Sequence, residues 1–207
     1  GIAAQIFAMS RMVCDSAELS AEFDGELDGL LERLALSGTD DSQRFLGAIS
    51  TFMYDHGGRG PNEWDIYQWS YETKPTMLLQ AIDIARQADD DSDPAKTAER
   101  AAAERQRLIE KYETAFADSP EALGAFQTAV RTAAVWMSAR ERIKSSNIRC
   151  HHEVRMCFAE LGRRMTERGH IAHQRQIYML LADELDDFLA DPSKYSATLA
   201  EREQDYL

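Results

Sequence analysis

The sequence predicts an all-α fold, a multi-helix domain of long antiparallel helices with one ordered Gly/Pro-rich loop. Apolar residues recur at intervals of three and four along most of the chain, the period of helices that bury one face. Clusters of glycine, proline and aspartate punctuate that pattern at helix-length intervals. No internal repeat and no alternating strand pattern interrupts it.

From Ile2 to Leu36, Ile6, Met9 and Val13 and then Phe23, Leu27, Leu30, Leu31 and Leu34 trace an apolar face that one long helix or two in tandem would present. Ser37-Gly38-Thr39-Asp40-Asp41 ends it, and Phe45, Ile49, Phe52 and Met53 mark a helix that runs into the loop. Pro75 suits the first turn of a further helix carrying Met77, Leu78, Ala81, Ile82 and Ala85, because the N–H it lacks has no partner there. Asp89-Asp90-Asp91-Ser92-Asp93-Pro94 breaks the pattern. It lacks the spaced ligands, glycine and terminal glutamate of a calcium loop, so 89–94 reads as a solvated internal linker ending in an Asp93 N-cap.

Residues 95–117 are rich in strong helix formers and poor in large apolar residues before Leu108, so the front of that helix is expected to be exposed. Ser119-Pro120-Glu121 opens the next helix, with Leu123, Phe126, Val130, Ala134 and Met137 on one face. Helical character continues to Arg168, with a break expected near Ser145-Ser146-Asn147 and a stop at Gly169. The apolar run 176–181 is compatible with an extended segment or a helix start, and 183–189 reads as a short helix closed by Asp191-Pro192. Residues 1–207 are expected as a single helical domain. Gly1, followed at once by a helical run, fits a segment of a longer polypeptide, and methionine removal would look the same.

The balance of 36 acidic against 23 basic side chains, a formal charge of −13, argues against nucleic acid or an anionic membrane as a partner. Cys14, Cys150 and Cys157 are odd in number and have no C-x-x-C spacing, which points to reduced thiols and a cytoplasmic location.

The chemistry is concentrated in two places. In Tyr54-Asp55-His56-Gly57-Gly58-Arg59-Gly60-Pro61-Asn62-Glu63-Trp64-Asp65 the glycines and proline cannot continue a helix, and Arg59 brings a planar fork suited to carboxylate or phosphate. Arg59 paired with Glu63 or Asp65 would order the loop; an external anion is the other use of the same fork. Over 138–168, eight basic side chains face four acidic ones, and Arg140, Lys144, Asn147, His151 and Arg155 fall on one helical face, with Arg149 counted alongside. That stripe reads either as an anion-facing wall or as a solvated face meeting acidic helices. His151-His152 cannot share a metal on a helix, because adjacent side chains point about 100° apart, and His151, His152, His170 and His173 read as surface histidines. No P-loop, dinucleotide fingerprint or nucleophile elbow is present.

His56-Gly57-Gly58-Arg59-Gly60-Pro61-Asn62-Glu63-Trp64-Asp65, followed by Trp69-Ser70-Tyr71-Glu72 and Pro75, resembles the glycine-arginine-glycine signature in the central helical region of phosphoenolpyruvate-utilising enzymes, rifampicin phosphotransferases and phosphoenolpyruvate synthase-like proteins among them. Arg149 and Arg155, Glu160-Leu161-Gly162-Arg163-Arg164-Met165 with Gly169, and Ile177-Tyr178-Met179-Leu180 with Asp183-Glu184-Leu185 extend the resemblance from about Phe45 to Leu189. The Gly57-Gly58-Arg59 order departs from the more frequent Gly-His-Arg, and no Pro-Arg-Trp run follows Asp65.

The resemblance implies a central acceptor-binding or linker domain of a multidomain phosphotransferase, not catalytic alone. ATP-grasp and phosphohistidine domains of the same polypeptide are the implied partners, a small molecule is the implied acceptor, and ATP and Mg²⁺ are implied for the full-length enzyme. None of the five histidines lies in a phosphocarrier motif. Arg59, Glu63, Arg149, His151 and Arg155 are the candidate acceptor-binding residues, with no catalytic or metal-binding residue assigned. The alternative is a free-standing helical interaction module that docks an acidic partner through its basic face.

Overall fold

The computed structural model describes residues 1–207 and is built from nine α-helices, four short 3-10 turns and no strand. The chain is all-α, as its periodicity predicts. No helix is long and apolar enough to cross a membrane. It divides into two compact units: Gly1–Arg59 with Ser70–Ile143, and Gly60–Trp69 with Lys144–Leu207.

The first unit contains helices α1 (Ile2–Asp15), α2 (Ala17–Phe23), α3 (Leu30–Ser37), α4 (Asp40–His56) and α5 (Thr76–Arg86). The stretch expected as one or two helices is therefore three. Ser16 is extended, which stops α1, and its Oγ accepts the Leu19 N–H at 3.3 Å, which starts α2. Gly29 (φ 71°) and Gly38 (φ 64°) bracket α3 in the left-handed region, where any side chain would be strained. Thr39 caps α4 through the Ser42 N–H. The apolar faces converge on Val13, Leu19, Phe23, Leu30, Leu34, Phe45, Phe52, Leu78 and Ile82, with Phe23 edge-on to Phe45 at 5.6 Å.

The predicted linker at 89–94 is a 3-10 turn over Asp90–Ser92 capped by Asp89, and Asp93 accepts the Ala95 N–H at 2.8 Å to cap α6 (Pro94–Ala115). Tyr112, Phe116 and Phe126 cluster where the chain turns into α7 (Pro120–Glu167). The break expected at 145–147 is absent, and α7 runs through it. Two serines and an asparagine in mid-helix each cost only about 0.5 kcal/mol relative to alanine, and no glycine or proline stands beside them to add to that. None of residues 94–147 is buried.

In the second unit α7 continues from Lys144 to Glu167, Gly169 (φ 74°) ends it, and a 3-10 turn over Gln174–Met179 leads to α8 (Leu185–Ala190) and α9 (Ser196–Tyr206). The apolar run at 176–181 is thus a 3-10 turn through Met179 with Leu180 and Leu181 extended, and it does not start an α-helix. Met165, Ile171, Ile177, Leu180, Phe188 and Leu199 form the core. Gly162 lets α7 approach this turn closely, since a Cβ there would lie 2.2 Å from the Gln174 carbonyl oxygen.

Arg202 of α9 grips Glu184 through both terminal nitrogens, at 2.7 and 2.8 Å, and donates to the Met179 carbonyl at 3.0 Å. The Arg202 bonds, aided by the Leu181 N–H, lower the Glu184 carboxyl from 4.5 to about 2. Folding therefore favours the ionised form. The contribution is present above pH 4.5 and is lost as pH falls towards about 2. Acid titration of Arg202→Gln followed by circular dichroism should show a smaller loss of stability across that window than the parent; an unchanged acid profile would remove this pair from the account.

Candidate functional site

The site is residues 60–69 laid on the C-terminal half of α7. Local turns shape the loop: the Asp65 N–H donates to Asn62 O at 3.3 Å, Gln68 N–H to Asp65 O at 3.1 Å, and the Asp65 side chain accepts the Tyr67 N–H at 2.9 Å in an Asx-turn. In the first unit, the loop's flanks are clipped together by Tyr71 N–H to Arg59 O and Glu72 N–H to Gly57 O, both at 2.9 Å. Gly57 has no room for a side chain, because a Cβ would meet the Met53 carbonyl oxygen at 2.5 Å.

Arg155 is the anchor. It is only 2% exposed, and its fork is spent on backbone carbonyls of the loop: Nε donates to Ile66 O at 3.2 Å and Nη2 to Asp65 O at 3.1 Å and Glu63 O at 3.4 Å. Nη1 meets His152 Nδ1 at 3.1 Å, and the Tyr178 hydroxyl donates to the Arg155 carbonyl at 3.0 Å. Burial lowers the guanidinium pKa from its ordinary value, while Tyr178 and Asp65 oppose that shift. Lys144, three turns earlier on the same face, pairs with the Glu63 carboxylate at 2.9 Å. His151 packs edge-on to Trp64 with ring centroids 5.3 Å apart.

Lys144, His151 and Arg155 of the basic stripe thus face the loop, whereas Arg140 is exposed and pairs with its neighbour Glu141. Arg155 serves as a structural anchor because three carbonyls converge on it. Arg149 is exposed and lies off this face, since five residues from Lys144 turn a helix through about 140°. The two adjacent histidines have separate duties, His151 against Trp64 and His152, buried, against Arg155. Arg59 falls in the first unit, half-buried, with its backbone in the clip described above.

A family model for the rifampicin phosphotransferase fourth domain matches residues 2–141. The chain belongs to that family. The match places the chain among the helical regions of phosphoenolpyruvate-utilising enzymes, in agreement with the resemblance of the 56–65 motif. It begins well ahead of Phe45 and stops short of Arg149, His151 and Arg155, so the fourth-domain model includes Arg59 and Glu63 but not the α7 residues they were grouped with. No individually curated protein matches the chain.

The second unit also draws further residues onto the loop. Arg175 lies 3.9 Å from the Tyr67 ring centre and 4.2 Å from that of Trp69, and donates to Tyr67 O at 2.8 Å. The Tyr67 hydroxyl donates to the buried Glu203 at 3.1 Å, and the exposed His173 meets the other Glu203 oxygen at 2.9 Å. Burial and then the Glu203 bond raise the Tyr67 phenol above its ordinary pKa, which keeps it a donor. Tyr206 closes the network on the Asp65 carboxylate. The signal available was the spacing of Leu199, Arg202, Glu203 and Tyr206, which share one helical face. No group of three or more His, Cys, Asp or Glu side chains is assembled to hold a metal ion.

Trp64, 52% exposed, is the more outward of the loop's two exposed tryptophans and lies beside the half-buried His151. An aromatic face next to an imidazole, both held by a pinned backbone, can stack on and hydrogen-bond a ligand with little ordering cost.

Proposed function

We propose that the chain is the acceptor-binding helical domain of a multidomain phosphoenolpyruvate-utilising phosphotransferase and does not catalyse transfer alone. Its membership of a family described as a fourth domain carries this reading, because a fourth domain speaks for others in the same polypeptide. The ATP-grasp and phosphohistidine domains are the partners, and ATP with Mg²⁺ belongs to the former. A small-molecule acceptor rests on the Trp64–His151 edge, with Arg155 and Lys144–Glu63 holding the loop beneath it and Arg59 in its flank.

Rifampicin is the first probe, taken from the family's description. In the full-length enzyme, Trp64→Ala and His151→Ala should each raise KM for rifampicin at least roughly tenfold while ATP-dependent phosphohistidine formation is unchanged, the pattern of lost acceptor binding. The isolated chain should consume no ATP. Unaltered KM in both variants would remove the edge from the acceptor site, and ATP-dependent phosphorylation of any acceptor by the isolated chain would overturn the domain reading.

A further inference from the structure

Helices gain most of their stability in a protein from the face they pack, yet residues 94–147 bury no side chain. The largest apolar exposure in that span is on α7: Val135, Trp136, Met137 and Ile143 are 65%, 70%, 59% and 60% exposed. At about 100° per residue Val135, Trp136, Ile143 and Ala139 fall within an arc of about 100°, and Met137 lies about 100° beyond Trp136. Arg131 and Arg142 border one edge of the arc and Arg140 the other. Arg140 pairs with its neighbour Glu141, and neither Arg131 nor Arg142 has an ion-pair partner in the chain. An apolar stripe centred on tryptophan and bordered by arginines has the residue types that carry most binding energy at protein interfaces.

We propose that this face of α7 docks an acidic amphipathic helix of a partner protein. The partner's apolar side chains would cover Val135, Trp136 and Ile143, and its carboxylates would meet Arg131, Arg140 and Arg142 from both borders. Charge selects this occupant. A symmetric pair of copies would gather six arginines around one small stripe, whereas a helix flanked by carboxylates would meet them with opposite charge. The face is separate from the Trp64–His151 edge, and the proposal does not rest on the acceptor reading.

The test is calorimetric titration of the chain with two synthetic helical peptides that share one leucine stripe, flanked in one by glutamate and in the other by lysine. The glutamate peptide should bind at least roughly tenfold tighter, with an advantage that shrinks as salt rises. Trp136→Ala should weaken it at least roughly tenfold. The triple variant R131E/R140E/R142E should reverse the preference. All four positions are exposed, so circular dichroism of the variants should match the parent and keep folding out of the comparison. Equal affinity for the two peptides, no binding of the glutamate peptide, or unchanged preference in the triple variant would overturn the proposal. So would concentration-dependent dimerisation abolished by Trp136→Ala, or binding to phosphatidylserine vesicles in its place.

Discussion

Arg155→Ala is expected to destabilise the second unit by about 3–5 kcal/mol, the largest effect of any single truncation in the site. Three loop carbonyls lose their donor, each costing about 1–3 kcal/mol when left buried and unsatisfied, and partial hydration of the opened site offsets some of the sum. Two controls separate the causes. Arg155→Met keeps the aliphatic stem and should recover only the packing part of the loss. Arg155→Lys keeps a charge but cannot span Ile66, Asp65 and His152 at once, so it should fall closer to alanine than to arginine. Urea denaturation gives the magnitude, and amide exchange over 60–69 gives the location. A change within about 0.5 kcal/mol, the range of an ordinary surface substitution, would end the anchor assignment.

Gly162→Ala should reverse the usual sign. In an exposed helix interior, glycine to alanine stabilises by about 0.5–1 kcal/mol, and Gly47→Ala and Gly124→Ala, where an added Cβ meets nothing within 4 Å, should show that gain. At Gly162 the same methyl would sit 2.2 Å from the Gln174 carbonyl oxygen and 2.9 Å from Ile177 Cγ2. The first of these is backbone and cannot rotate away, so a loss of about 3 kcal/mol or more is expected, at or beyond the usual cost of overpacking. Thermal denaturation of the three variants suffices. Stabilisation at all three positions would mean that α7 and the 174–179 turn are less closely packed than described.

Apolar periodicity made the helices readable, and caps made several of their ends readable: Asp93 before α6 and Gly169 after α7 both act as their residue types predict. The errors fell where one residue could serve two states. Ser16 is helix-compatible in isolation and becomes a boundary because its hydroxyl finds the Leu19 N–H, whereas the serines at 145 and 146 find no better offer and stay helical. In the site, spacing correctly put Lys144, His151 and Arg155 on one face but could not say what lies opposite. A guanidinium fits a carboxylate and a pair of carbonyls equally well, and carbonyls leave no mark in a sequence because every residue has one. That is why Arg155 looked like part of an anion-facing wall.

The Asp65–Tyr206 contact spans 141 residues and the Tyr67–Glu203 contact 136, and this separation sets a timetable for synthesis. At roughly 5–20 residues per second, a ribosome that has made Asp65 needs about 7–28 s more to reach Tyr206. Over that interval the helices up to α5 can close on Phe45 and Leu78, while Asp65, Tyr67 and Gln68 have been made without α9 to receive them. The loop that carries the candidate site is made well before the helix that completes it.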